Sequence, residues 1–161
     1  MDKRTPLYET HVELGGKIVS FGGFEMPVQY PAGVIKEHMA VREAAGIFDV
    51  SHMGELILEG PDALSELNRI LTNDFTNMQV GRIRYSVMCN NDGGCVDDLI
   101  VYKLDEEKYL LVVNASNTDK DREWIKENLK GDVELRDISP EVGQIALQGP
   151  KSKEILEKLV V

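Results

Sequence analysis

The string Gly54-Glu55-Leu56-Ile57-Leu58-Glu59-Gly60-Pro61 returns further along the chain as Gly143-Gln144-Ile145-Ala146-Leu147-Gln148-Gly149-Pro150. Each copy reads as a short strand, a Gly-Pro turn and the start of a helix. Proline suits that start because its missing N–H would be unpaired in the first turn anyway. After the first copy, Ala63, Leu64, Leu67, Ile70 and Leu71 fall on one helical face over 62–71. The chain then continues through three strands and a helix, whereas after the second copy it stops inside the helix. Either the chain starts one strand–turn–helix unit twice, the second being degenerate or cut short, or two Gly-Pro turns coincide by chance. The residues alone leave both readings open.

Short strands and helices fill the remainder, with no linker and no low-complexity tract. Residues 34–45 place Val34, His38, Val41 and Ala45 on one stripe with Gly46 at the stop, which predicts a helix. Strands are expected at 84–89, 97–103, 109–114, 133–138 and 143–148. A helix is expected at 119–129, starting from Thr118 with Asp121 completing a weak capping box. The runs Asp98 to Lys103 and Tyr109 to Asn114 flank a short polar loop and should pair as a hairpin. The expected class is α+β with largely antiparallel sheets and packed helices. A chain of 161 residues allows one or two compact units.

Charge removes several function classes. Eighteen Lys+Arg against 28 Asp+Glu give a net charge of −10, which leaves no counterion-releasing surface for nucleic acid or anionic lipid. The N-terminus is polar and no long apolar window follows, so no membrane span and a cytoplasmic setting are expected. Cys89 and Cys95 form no C-x-x-C pair and read as reduced, partly buried thiols. His11, His38 and His52 are scattered without ligand spacing, so no protein-held metal is expected. G-x-G-x-x-G, P-loop and G-x-S-x-G motifs are absent from the sequence, which disfavours dinucleotide, P-loop and nucleophile-elbow chemistry.

The segment Asn90-Asn91-Asp92-Gly93-Gly94 is dense turn chemistry that delivers Asp97 and Asp98 to a strand entrance. Strand alternation puts Asp98, Ile100 and Tyr102 on one face and Asp97, Leu99 and Val101 on the other. On the neighbouring strands Tyr85, Val87 and Cys89 share a face, as do Leu110, Val112 and Asn114. Should those faces coincide, a carboxylate, two tyrosines, an amide and several aliphatics would line a hollow for a flat ligand. The plainer alternative is a solvated Asp97-Asp98 turn with Tyr85 and Tyr102 as rim aromatics. His52 reads as a hydrogen-bonded structural histidine or a proton relay, Met53 as packing or ligand contact. Arg82 and Arg84 are either solvated or a receiver for an anionic tail.

Five blocks in order carry a resemblance. They are Lys3 to Tyr8, Phe21 to Pro27, Phe48-Asp49-Val50-Ser51-His52-Met53-Gly54-Glu55, Tyr85 to Asn90, and Gly93-Gly94-Cys95-Val96-Asp97-Asp98-Leu99-Ile100-Val101-Tyr102. Together the sequence resembles the N-terminal part of the glycine cleavage system T-protein family, the aminomethyltransferases. The resemblance runs from Thr5 to the end of the chain. Members of that family are more than twice as long, which implies that residues 1–161 are the N-terminal part of a folate-binding region, truncated, with two interleaved subdomains.

The resemblance implies an enzyme that takes the aminomethyl group carried by a lipoylated H-protein and passes its methylene to tetrahydrofolate, a co-substrate, releasing ammonia. By the family pattern Asp98 matches the catalytic aspartate, where a carboxylate stabilises charge on nitrogen and relays a proton. Asp97 is its structural neighbour. Met53, Ile57, Tyr85, Ile100, Tyr102 and Asn114 match positions that line the folate pocket. Cys95 stands where relatives carry an aliphatic residue. Further folate contacts belong to the C-terminal part, so this stretch alone is expected to be inactive. Two other classes share features: non-enzymatic folate-binding relatives of the iron–sulfur assembly type, and the folate-linked domains of dimethylglycine or sarcosine oxidoreductases.

Overall fold

A computed structural model describes residues 2–160. The chain divides into two compact units, one formed by the residues up to His52 and from Gly143 onward, the other by Met53–Val142. In chain order the first unit begins with α1 (Tyr8–Glu13), β1 (Ile18–Phe21), β2 (Phe24–Pro27), α2 (Val34–Glu43) and β3 (Gly46–Asp49). The second contributes β4 (Gly54–Glu59), α3 (Ala63–Ile70), β5 (Ile83–Cys89), β6 (Cys95–Asp105), β7 (Lys108–Val113), α4 (Thr118–Asn128) and β8 (Glu134–Asp137). The chain returns to the first unit with β9 (Ile145–Gln148) and α5 (Ser152–Leu156). The class is α+β with antiparallel sheets, as the alternating runs predict.

The second unit is a five-stranded sheet in the order β5-β6-β7-β4-β8, every neighbouring pair antiparallel. The β6–β7 hairpin forms as the flanking β-rich runs require, with Leu99 opposite Val113 and Tyr102 opposite Leu110. One face of the sheet is apolar at every second position. Leu56, Leu58, Val101, Leu111 and Val113 are fully buried there, in one cluster with Ala63, Leu67 and Ile70 of α3 and Ile125 of α4. Each such aliphatic side chain contributes about 1.5–3 kcal/mol when removed from water. Packing against two helices thus fixes which face of every strand turns inward, because a one-residue slip would reverse the whole set.

The first unit is held differently. Met26 is the one buried large apolar side chain among its described residues, and its buried polar set is Thr5, His11 and Ser51. These converge on Asp49. The Thr5 hydroxyl donates to Asp49 Oδ2 at 2.6 Å, His11 Nε2 lies 2.8 Å from the same oxygen, and the Ser51 N–H donates to Oδ1 at 2.9 Å. These hydrogen bonds pull the Asp49 carboxyl below its ordinary value against the opposing effect of burial. His11 Nδ1 also meets the Tyr30 hydroxyl at 2.8 Å.

One expected helix forms but faces open space, and one expected cap needs correction. Residues 34–43 are helical, but no residue of α2 is buried. Val34, His38 and Val41 instead line a cavity of about 670 Å³ together with Pro27, Tyr30 and Phe48, so within the unit the stripe faces open space. At the start of α4, Thr118 caps nothing: its hydroxyl donates backward to the carbonyls of Asn114 and Ala115, each at 3.2 Å. Asn117 precedes the helix and Asp121 is turned inward, so the capping box does not form.

The repeated string folds the same way twice. β4 and β9 are each followed by a glycine with positive φ, +143° at Gly60 and +113° at Gly149, and a helix follows each Gly-Pro. A Cβ on Gly60 would come within 2.5 Å of the Asp132 carbonyl oxygen, and one on Gly149 within 2.6 Å of that of Ala44. Glycine is therefore required at both turns for conformation and for close backbone approach.

Candidate functional site

The site is built on the face of the five-stranded sheet opposite the core. Directly opposed residues in antiparallel strands share a face, so the register can be read as a grid with strands about 4.8 Å apart. Val87 of β5 stands opposite Asp98 of β6, Tyr85 opposite Ile100, and Ile83 opposite Tyr102. Ile100 stands opposite Val112 of β7 and Tyr102 opposite Leu110. Val112 in turn stands opposite Glu55 of β4, and Leu110 opposite Ile57. Beyond Ile57 the next neighbour is Arg136 of β8. Met53 immediately precedes Gly54, which pairs with Val113, and Asn114 follows β7. The register thus brings Ile57, Tyr85, Asp98, Ile100 and Tyr102 to one face, with Met53 and Asn114 at its end.

That face is partly open. Tyr85 is 56% exposed and Ile100 36%, while Ile57 is buried at 5%. It offers apolar surface with a few fixed polar points, the make-up suited to a flat heteroaromatic ligand. The 670 Å³ cavity of the first unit shares none of these residues. Asp98 is the polar centre. Asn114 Nδ2 approaches Asp98 Oδ1 and the Asp98 carbonyl, both at 3.2 Å. The neighbouring Asp98 carboxylate raises the pKa of the Tyr85 phenol, with burial adding to the effect. The two are diagonal neighbours in the grid, a spacing that an aromatic side chain can span.

Asp97 points the other way and is 8% exposed. Its Oδ1 accepts from the Asp98 N–H and from Asn114 Nδ2, both at 2.8 Å, and its Oδ2 accepts from Asn117 Nδ2 at 2.6 Å. These donors outweigh the penalty of burial and hold the carboxyl at about 2. The doublet is therefore neither a solvated turn nor a pair of equals. Asp97 is a buried hub, and Asn114 touches both members.

Several side chains fall elsewhere than expected. A β-bulge between Met88 and Cys89 breaks the alternation, so Cys89 stands opposite Cys95 and the simple period ends there. Cys95 is exposed rather than partly buried, because it lies where the Gly93-Gly94 turn releases the chain. Arg84 pairs with Val101 and so belongs to the core side of the sheet, where its guanidinium lies 5.8 Å from the Phe75 ring and donates to the Asp74 carbonyl. It is not available to an anionic tail on the Asp98 face. His52 packs edge-on against Phe21 and Phe24 at 5.6 and 6.2 Å, and burial lowers its pKa.

Two residues on the Asp98 face escaped the sequence reading. Arg136 carries a cation onto it, paired with Glu141 at 3.4 Å. Glu55 is 3% exposed with neither carboxyl oxygen hydrogen-bonded, and burial pushes its pKa up to about 7. The period-2 alternation of Glu55-Leu56-Ile57-Leu58 would have found Glu55, because it shares a face with Ile57.

Comparison with known proteins bears on this geometry. Residues 7–161 match the family described as the GCVT N-terminal domain. The aminomethyltransferase of Natranaerobius thermophilus is 54% identical over 157 residues, and that of Symbiobacterium thermophilum 55% over 161. Each alignment covers 98% of this chain and 43% of the relative, so the chain spans less than half the length of these relatives. The crystal structure of glycine cleavage system aminomethyltransferase T from Bartonella henselae superposes with a TM-score of 0.89 at 36% identity, covering 98% of this chain and 44% of that one.

Proposed function

The chain belongs to the GCVT N-terminal domain family, and on that premise we propose that it is the N-terminal part of an aminomethyltransferase of the glycine cleavage system. The open sheet face is its tetrahydrofolate-binding surface, Asp98 is its catalytic carboxylate, and Met53, Ile57, Tyr85, Ile100, Tyr102 and Asn114 line the ligand. The observation that carries this reading is Asp98 itself, which projects from the aromatic and aliphatic face beside Tyr85 with the Asn114 amide on its carboxylate.

Tetrahydrofolate, when bound, supplies the nitrogens that accept the one-carbon unit. The chain's own residues do the rest. Ile100, Ile57 and the rings of Tyr85 and Tyr102 offer a dry platform for a flat ring system. The Asp98 carboxylate, oriented by Asn114, stabilises positive charge on a nearby nitrogen and takes or returns its proton. Such a group is worth more in a water-excluded site than on an open face. The polypeptide beyond this chain in the longer relatives is assigned the task of closing the platform. Lipoylated H-protein is the donor partner, and the setting is the cytoplasm. The relatives named above are aminomethyltransferases, which favours this reading over iron–sulfur assembly proteins and folate-linked oxidoreductases.

The test measures ammonia release from aminomethyl-loaded H-protein as tetrahydrofolate is titrated, with this chain and with the full-length polypeptide. Saturable release by the full-length protein supports the reading. Its absence with a correctly loaded donor would overturn it.

A further inference from the structure

Behind Asp98, on the core side of the sheet, a second buried carboxylate faces the hub. Asp121 of α4 is fully buried and both its oxygens lack a hydrogen-bond partner. The charged groups that face it are Asp97 from β6 and Lys120 from its own helix. Lys120 Nζ lies 3.2 Å from Asp121 Oδ1 and 3.6 Å from Asp97 Oδ2, while it donates its hydrogen bond to the Val96 carbonyl at 2.6 Å. One ammonium thus serves two carboxyl groups, each of which acts directly on the other.

The donors are distributed unequally. Asp97 receives the Asp98 N–H and the amides of Asn114 and Asn117, whereas Asp121 accepts no hydrogen bond and has only the ionic contact of Lys120, which Asp97 shares. Two adjacent buried carboxyls cannot both ionise at low cost, and the proton settles on the one with fewer donors. A protonated carboxyl also resolves the orphaned oxygens, since its O–H becomes a donor and Asp97 is the acceptor in reach.

Resting on the functional reading above, we infer that Asp121 is a positioning residue: its protonated carboxyl keeps its proton and donates a hydrogen bond to Asp97, which stays the anion that holds the Asn114 amide and, through it, the Asp98 carboxylate. Burial and the neighbouring Asp97 push the Asp121 pKa up to about 7, in the direction this arrangement requires. The device keeps a fixed negative charge and a fixed amide directly behind the catalytic group. Ionisation of Asp121 places a second anion beside Asp97 and weakens its hold on Asn114.

The test compares Asp121→Asn, whose amide can donate to Asp97 in place of the carboxyl proton, with Asp121→Ala, which cannot. The first readout is made on this chain and needs no activity: carboxyl-carbon NMR of labelled aspartates and hydrogen exchange of the Asn114 side-chain amide. Asp121 is expected to titrate near neutrality while Asp97 stays ionised, with Asn114 exchange slow in the native protein and in Asp121→Asn. In Asp121→Ala that exchange should be faster by about tenfold or more. The second readout is ammonia release by the full-length polypeptide. There Asp121→Ala should lower kcat by about tenfold with little change in the KM for tetrahydrofolate, and Asp121→Asn should recover most of the loss while abolishing the pH dependence near 7. An Asp121 already ionised at pH 5, or Asn114 exchange equal in all three proteins, would overturn the proposal. Slow exchange lost in Asp121→Ala with kcat unmoved would also overturn the positioning role. A native protein without ammonia release would sink the functional reading, while the first readout would still decide the proton.

Discussion

Along β6, Asp97, Leu99 and Val101 turn to one side of the sheet and Asp98, Ile100 and Tyr102 to the other. The first set is buried against α3 and α4, and the second is half open to solvent. The same backbone therefore serves two ends with alternate residues. The buried side fixes strand register through close packing, and the register alone determines which side chains reach the open side. Stability and chemistry are separable here because a strand reverses its side chains at every step. Asp97 and Asp98 show the separation at a single peptide bond.

The largest effect expected from breaking this division lies on the buried side. Leu111→Ala should lower the unfolding free energy by about 2–5 kcal/mol in denaturant titration, since Leu111 is fully buried in the cluster and its removal leaves a cavity. A loss below about 1 kcal/mol would show that this face is not the structural one. The next effect lies on the open side. Asp98→Asn in the full-length polypeptide should lower turnover on the order of 10²-fold, about 2.7 kcal/mol of transition-state stabilisation, with the denaturation midpoint unchanged. Unchanged turnover would remove Asp98 from the role.

A smaller effect separates the faces by pH. Glu55 has a folded-state pKa of about 7, above its ordinary 4.5, so the folded state binds the extra proton. Its contribution to stability is present below about 4.5 and is lost as pH rises through about 7. The unfolding free energy should therefore fall from pH 5 to pH 7.5, and Glu55→Gln should reduce that fall, leaving the part that Asp121 contributes by the same linkage. An equal slope in both proteins would mean that Glu55 ionises freely in the folded state. The smallest effect belongs to Ile100→Ala. It should change stability by less than about 1 kcal/mol and weaken tetrahydrofolate binding several-fold, about 1 kcal/mol for a lost apolar contact. A stability loss as large as that of Leu111→Ala would erase the distinction between the faces.

The strands of the second unit were legible because alternation in Leu56, Leu58, Leu99, Val101, Leu111 and Val113 carries the core directly. The Asp98 face followed from the same period read one residue out of phase. What alternation could not show was where it fails, since the bulge at Cys89 leaves no local signal and takes Cys89 out of the simple pattern. α1 and the β1–β2 hairpin were not read at all, because a unit stabilised by a hydrogen-bonded Asp49 hub has little apolar period to detect. The same limit hid Asp121. Its spacing from Thr118 suits a cap, and only tertiary contact with Asp97 turns it inward. Of the two alternatives for Arg84, its exposed contact with the Asp74 carbonyl agrees with the solvated one, and its register opposite Val101 takes it off the Asp98 face.

Under the proposed function the sheet carries a division, with ligand on one face and stability on the other. Its most direct test is methyl NMR of the full-length polypeptide, with tetrahydrofolate added stepwise. Saturable shifts are expected at Met53, Ile57 and Ile100, while Leu56, Leu58, Leu111 and Val113 hold their positions throughout. Shifts concentrated on the buried set, or absent from Ile100 at saturation, would contradict it.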